Sequence, residues 1–201
     1  ASGDLWDNTF GFSTGAGGNS VKAGPSGAGL VQYTLPTFAD GVAANVTYSS
    51  AGENDGGSGA FGVAYTGIEG LTVKFGSGED NSKKGLSADY TTMSVSYAFG
   101  SITAGVSSSE YDHTTASYDQ EVKSFGISYT VSDSISISYG QDVIENNQDT
   151  ADIEVDGVTA SYTSGGMTVS AKAIGADNVD GSSTGVNNNN EMWKLSASFA
   201  F

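Results

Sequence analysis

The side chains best suited to chemistry are few and scattered. His113 is the single histidine and cysteine is absent, so disulfides, thiolate metal sites and Cys-His pairs are excluded, and a Ser-His-Asp or multi-histidine centre has nothing to assemble from. Carboxylates dominate instead: 23 Asp and Glu face 7 basic residues, for a net charge of −16. In the acidic segments Glu79, Asp80, Asp149 and Asp152 offer oxygen ligands of the kind that hard divalent ions such as Ca²⁺ take. None of these segments has the spacing of an EF-hand loop, and the alternative is a solvated, self-repelling surface. All basic residues are lysines, so the clustered guanidinium footprint of a nucleic-acid partner is missing. The glycine-rich runs at Gly15 to Gly18 and Gly56 to Gly59 lack the Lys-Ser/Thr and the helix of a phosphate cradle. The chain is therefore expected to be neither an enzyme nor dependent on a cofactor, with calcium on the acidic loops as the one candidate.

What could position the remaining polar residues is a repeat. Tyr33, Tyr65, Tyr97, Tyr129, Tyr162 and Phe199 each precede a small residue and then a turn or the chain end, at spacings of 32, 32, 32, 33 and 37 residues. A fixed period indicates a repeated structural unit. Before each aromatic, apolar residues alternate with polar or tiny ones, as in Phe61-Val63-Tyr65 and Phe125-Ile127-Tyr129. After each short turn a second alternating run begins, such as Leu71-Val73-Phe75 and Ile135-Ile137-Tyr139. Period two marks strands, and the runs add up to eleven. No stretch approaches the roughly 18 apolar residues of a membrane-spanning helix.

Alternation alone does not separate a soluble sandwich from a transmembrane barrel. Three features favour the barrel. Connections alternate in length, with short turns at one end and long segments near 50–58, 78–85, 109–121, 141–156 and 174–190 at the other. Of the 23 carboxylates, 18 lie in or beside the long segments, which leaves the apolar face nearly free of charge. The recurring aromatics fall at one height, where an interfacial girdle belongs. One irregularity stands out: Leu86, Ala88 and Tyr90 share one parity while Met93, Val95, Tyr97 and Phe99 share the other. A bulge near Thr91-Thr92, or a strand leaving the bilayer there, reconciles them.

The pattern from about Asp4 to Phe201 resembles the C-terminal part of a Gram-negative outer-membrane general porin. Alternating strands, short turns, long acidic loops and a last strand Trp193-Lys194-Leu195-Ser196-Ala197-Ser198-Phe199-Ala200-Phe201 carry the likeness. The resemblance implies an all-β transmembrane antiparallel barrel. Eleven strands cannot close antiparallel, and bacterial barrels have an even number. A parent of about 16 strands leaves about five absent, so the sequence is expected to be an incomplete record of the subunit. Residues 1–27 then become the tail of an inward-folded constriction loop carrying Asp4 and Asp7, and residues 28–201 the barrel strands.

By the same resemblance the channel passes small hydrophilic solutes and ions by passive diffusion. Pore-lining candidates by parity are Gln32, Asn45, Lys74, Lys172 and Lys194, and the net charge argues for weak cation preference. Trp193, Leu195, Phe199 and Phe201 match the terminal signal read by the outer-membrane assembly machinery. The other implied partners are outer-membrane lipid, lipopolysaccharide and two further copies in a homotrimer. One rival is a secreted or surface-anchored β-rich adhesin without a pore, which requires the apolar residues to be packed in a dry interior; the other is a barrel serving as an anchor or specific transporter, such as an autotransporter translocator, which requires a plug or helix in the lumen.

Overall fold

The computed structural model describes residues 29–50, 57–83, 86–179, 181–184 and 189–200. They form β1 (Leu30–Thr34), β2 (Val42–Ser49), β3 (Ser58–Tyr65), β4 (Leu71–Lys83), β5 (Leu86–Phe99), β6 (Ile102–His113), β7 (Gln120–Ser132), β8 (Ile135–Asn146), β9 (Ile153–Ser164), β10 (Met167–Asp177) and β11 (Asn190–Phe199), with a 3-10 turn at Ala116–Tyr118. The eleven strands make one antiparallel sheet in sequence order, so each is hydrogen-bonded to its neighbours along the chain. β1 and β11 are the two edges of this sheet among the described residues. No described helix is long and apolar enough to cross a membrane.

The tight turns follow from local chemistry. Gly165 and Gly166, between β9 and β10, have φ of 55° and 82°. A two-residue hairpin of the type that matches strand twist needs positive φ at both positions, and glycine adopts it without a Cβ clash. At the opposite end the strands run further than the sequence pattern suggests. The expected long segments 78–85, 109–121 and 141–156 are mostly ribbon: β4 continues to Lys83, β6 to His113 and β8 to Asn146. Polar residues such as Ser108 and Glu110 end the apolar alternation there while the backbone pairing goes on, with Ser108 opposite Lys123 and Glu110 opposite Glu121.

The two faces of the sheet differ in the sense opposite to a soluble sheet. Apolar residues occupy the open face: Val63 is 38 % exposed, Val106 51 %, Ile127 38 % and Val158 47 %. The hydroxyl face is the enclosed one, with Ser94 at 8 % and Ser124 at 6 %. A curved sheet shields its concave side, so the apolar face is the outer one. On β7 the outer apolar residues run from Phe125 to Val131, roughly 20 Å at about 3.3 Å per residue, close to the band of about 25 Å found on outer-membrane barrels.

The parity change in β5 is not a bulge at Thr91-Thr92. Register there is unbroken, with Thr91 opposite Ser77 and Thr92 opposite Gly76, and Glu110 and Ser109 opposite them on β6. The irregularities lie elsewhere, between Asp80 and Lys83 and between Thr130 and Ser132. Ala88 and Tyr90 simply belong to the inner face, where they pack with Tyr111 and Ala60.

These faces make a test at adjacent positions. Ile127→Lys, on the outer face, should cost about 2–4 kcal/mol, the penalty for a lysine near the bilayer midplane. Ser128→Lys, on the inner face, should change stability by only about 0.5 kcal/mol, as solvated substitutions do. Urea titration in lipid vesicles measures both.

Candidate functional site

The enclosed face is the candidate site, and strict alternation builds it. Gln32 lies opposite Thr47, Asn45 opposite Gly62, and Lys74 between Ala64 and Ser94. Lys172 lies between Thr159 and Lys194. All five residues expected on the wall from parity therefore share one side with the hydroxyls. Asp4 and Asp7, and with them the expected constriction segment 1–27, lie outside the described residues.

Hydroxyl pairs knit the wall. Ser136 and Ser161 share a hydrogen bond of 2.6 Å, Ser170 and Ser196 one of 2.8 Å, and Thr92 and Ser109 another of 2.8 Å. Each hydroxyl keeps spare lone pairs after such a bond, so the face can bind water along its length. A cofactor or metal finds less. Among the described residues no group of three or more His, Cys, Asp or Glu could hold a metal ion. Glu79 and Asp80 lie on β4, and Asp149 and Asp152 in the 147–152 loop. Asp149 accepts a 2.7 Å hydrogen bond from Asn146 Nδ2.

Charge is sorted by face and height. Glu79 lies opposite Asp89, Asp89 opposite Asp112, Glu110 opposite Glu121 and Glu121 opposite Glu145, all on the outer face beyond the apolar band. Like charges directly opposite each other destabilise a sheet. Lys123 offsets part of this, contacting Glu121 at 3.0 Å and Glu145 at 2.9 Å. Its ammonium is raised above the ordinary lysine range by the hydrogen bond to Glu145 and then that to Glu121. Among strand carboxylates whose side chains are described, Asp142 is the one whose register puts it on the inner face, opposite Ser124.

The aromatics also hold their expected side. Tyr33, Tyr97, Tyr129, Tyr162 and Phe199 are exposed on the outer face, and Tyr65 is half-buried there opposite Val42, all near the short-turn end. On β11, Trp193 at 82 % and Leu195 at 67 % exposure share that face. Phe201 lies outside the described residues.

Sequence reasoning missed the apolar pads on the inner face at the long-loop end. Ile144, Ile153, Val155 and Ala176 form a buried cluster, with Val122, Ile174 and Val179 against it. Their parity, opposite to that of the outer apolar residues on the same strands, is the signal that could have revealed them. Val179 comes from the turn after β10, which is clasped to the 147–152 loop. Gly181 O accepts hydrogen bonds from Thr150 N at 2.8 Å and Ala151 N at 3.2 Å, and Asn178 Nδ2 donates to Asp152 O at 3.0 Å. A Cβ on Gly181 would strike the Asp149 carboxylate, and its φ is 71°.

A curved antiparallel meander, oily outside and hydroxylated inside, defines the class of transmembrane β-barrel walls. A family model described as Gram-negative porin matches residues 1–152, and the chain belongs to that family. Comparison with curated protein sequences gives no match. Among solved structures, the anion-selective porin from Comamonas acidovorans is similar with a TM-score of 0.60 and 16 % identity, over 74 % of this chain and 48 % of that one. A porin structure refined at 1.8 Å resolution gives 0.67 and 16 %, over 86 % and 61 %. The trimer form of OmpT, an outer membrane protein of Vibrio cholerae, gives 0.58 and 20 %, over 85 % and 64 %. The chain thus spans between about half and just under two thirds of these proteins. Its place is the outer membrane, which it crosses repeatedly with its strands.

Two measurements probe this geometry. In reconstituted vesicles, Ser136→Cys should react with a water-soluble methanethiosulfonate at least about tenfold faster than Ile137→Cys, since thiolate chemistry needs water access. Equal rates would mean that the two faces are not wet and oily. Gly181→Val should release the clasp, seen as faster proteinase K cleavage within 147–152 and 178–184 with the β-sheet circular dichroism unchanged.

Proposed function

We propose that the chain forms much of the wall of a water-filled outer-membrane channel through which small hydrophilic solutes and ions diffuse passively. The observation that carries this reading is the exposure pattern: Ile137 at 44 % and Val158 at 47 % lie on the open face, while Ser94 and Ser124 lie on the enclosed one. A soluble adhesin would bury those isoleucines and valines, because the hydrophobic effect favours their removal from water at about 25 cal/mol per Å². Lipid supplies the same removal without a protein interior.

β1 and β11 run in the same direction, as the ends of an eleven-stranded antiparallel sheet must. A closed barrel of about 16 strands leaves an aqueous channel, whereas one of about eight is filled by side chains. Selectivity then comes from width and wall charge rather than from a tight site. The net charge of −16 argues for weak cation enrichment at the acidic mouth. The trimer form of OmpT supports assembly as a homotrimer. The exposed apolar residues of β11 fit the role of a terminal assembly signal, and the acidic outer belt sits at the height of lipid headgroups and lipopolysaccharide.

Planar-bilayer recording of the purified protein should give discrete current steps whose size rises nearly in proportion to bulk KCl conductivity. A protein that stays soluble without detergent and never produces steps would support the adhesin instead.

A further inference from the structure

The single histidine of the chain stands at the root of a turn and lends it a lone pair. His113 ends β6 on the inner face, opposite Ala88 of β5. Its Nδ1 accepts a 2.9 Å hydrogen bond from Thr115 N. A neutral imidazole that accepts at Nδ1 carries its proton on Nε2. Two tyrosines hold the ring in this pose: Tyr111 stacks on it with ring centroids 6.3 Å apart, and Tyr118 meets it edge-on at 5.2 Å.

The turn at 114–119 joins three elements at the long-loop end. Thr114 N donates to Ser87 O at 2.9 Å, beside β5, and Tyr118 N closes the turn on Thr115 O at 2.9 Å. Asp119 Oδ1 accepts from His113 N at 2.8 Å. From the 147–152 loop, Asn147 Nδ2 donates to Ala116 O at 2.7 Å and to Asp119 Oδ2 at 3.2 Å. Among the described side chains, the titratable groups around the ring are Tyr111 on its own strand and Tyr118 and Asp119 from the turn. β5 presents the uncharged Ala88, Asp112 belongs to the other face, and Gln120 and Asn146 follow on β7 and β8, with Asp149 bonded to Asn146. Of the residue types in this group, imidazole is the one that ordinarily changes charge between about pH 5 and 8.

We infer that His113 is a proton-operated latch on the 114–119 turn, closed while the imidazole is neutral and released when it is protonated. In the imidazolium both ring nitrogens are donors, so Thr115 N–H meets N–H and its bond is lost. The Asp119 carboxylate, engaged by two uncharged donors, then competes for the ring, because a charge-assisted hydrogen bond is the stronger one. The ring turns from Thr115 toward Asp119, and the ties of the turn to β5 and to Asn147 loosen together. The sign follows: the turn is held at the alkaline end of the imidazole range and freed as pH falls through it. The latch depends on this local geometry alone and holds whether or not the sheet lines a channel.

Hydrogen–deuterium exchange of the full chain in detergent micelles tests it, with each rate divided by the intrinsic rate at that pH. Between about pH 8 and about pH 5, protection of the 114–119 amides should fall about fivefold in the wild type, the loss of one net hydrogen bond, while that of β7 stays constant. His113→Asn places an amide oxygen where Nδ1 stood and does not titrate, so its turn should stay protected at both values. Asp119→Asn should keep the pH response. Because the chain has one histidine, nitrogen-15 histidine labelling gives one ring to observe, and it should be the Nε2–H tautomer at the alkaline end. Constant wild-type protection would overturn the latch, as would an acid loss that persists in His113→Asn, a response that vanishes in Asp119→Asn, or an Nδ1–H tautomer.

Discussion

Hydrocarbon offers no water to a backbone N–H or C=O, and each group left unpaired there costs several kcal/mol. This constraint governs the architecture of the chain. A strand in lipid satisfies it only by pairing on both sides, so the sheet is a continuous ladder from β1 to β11. Once the ladder is fixed, side chains have two directions available, and the solvent on each side selects which residues fill them. Within the apolar band, valines, isoleucines and aromatics face lipid, while serines, threonines and the lysines Lys74, Lys172 and Lys194 face the enclosed side.

The same constraint explains why the apolar pattern changes sides. Beyond the outer residues Phe125 and Met93 the outer positions become Lys123, Thr91 and Asp89, the composition of a surface in water. Lipid no longer holds the ribbons in place there. Their cohesion comes instead from Ile144, Ile153, Val155 and Ala176 on the inner face, and from a separate inner cluster of Ala88, Tyr90 and Tyr111. The chain therefore has two hydrophobic systems of opposite orientation stacked along the same strands, one solvated by lipid and one by its own side chains. The clasp through Gly181 caps the second system.

Much of this was legible in the sequence, for reasons that can be assigned. The aromatic spacing and the alternation through Phe61-Val63-Tyr65 or Ile135-Ile137-Tyr139 report the band, because there one face sees only lipid. The placement of Gln32, Asn45, Lys74, Lys172 and Lys194 on the inner face of the sheet followed from parity alone. The extent of the strands did not, since backbone pairing continues through Ser108, Glu110 and Glu121 without an apolar marker. The shift between Asp80 and Lys83 has no hydrophobic signature either, and it begins three paired positions beyond Thr91, at the ends of the strands rather than at the Thr91-Thr92 position that parity singled out. Whole-chain charge likewise hid the sorting of carboxylates and lysines onto opposite faces, which depends on register.

The strictly sequential order of the sheet also bears on how it assembles. Every strand finds its partners one hairpin away, so the entropy of closing large loops is spared at each step. Growth can proceed as a zipper in which a newly made ribbon templates the next. The expensive event is deferred to the end, when two distant margins must meet to seal the cylinder.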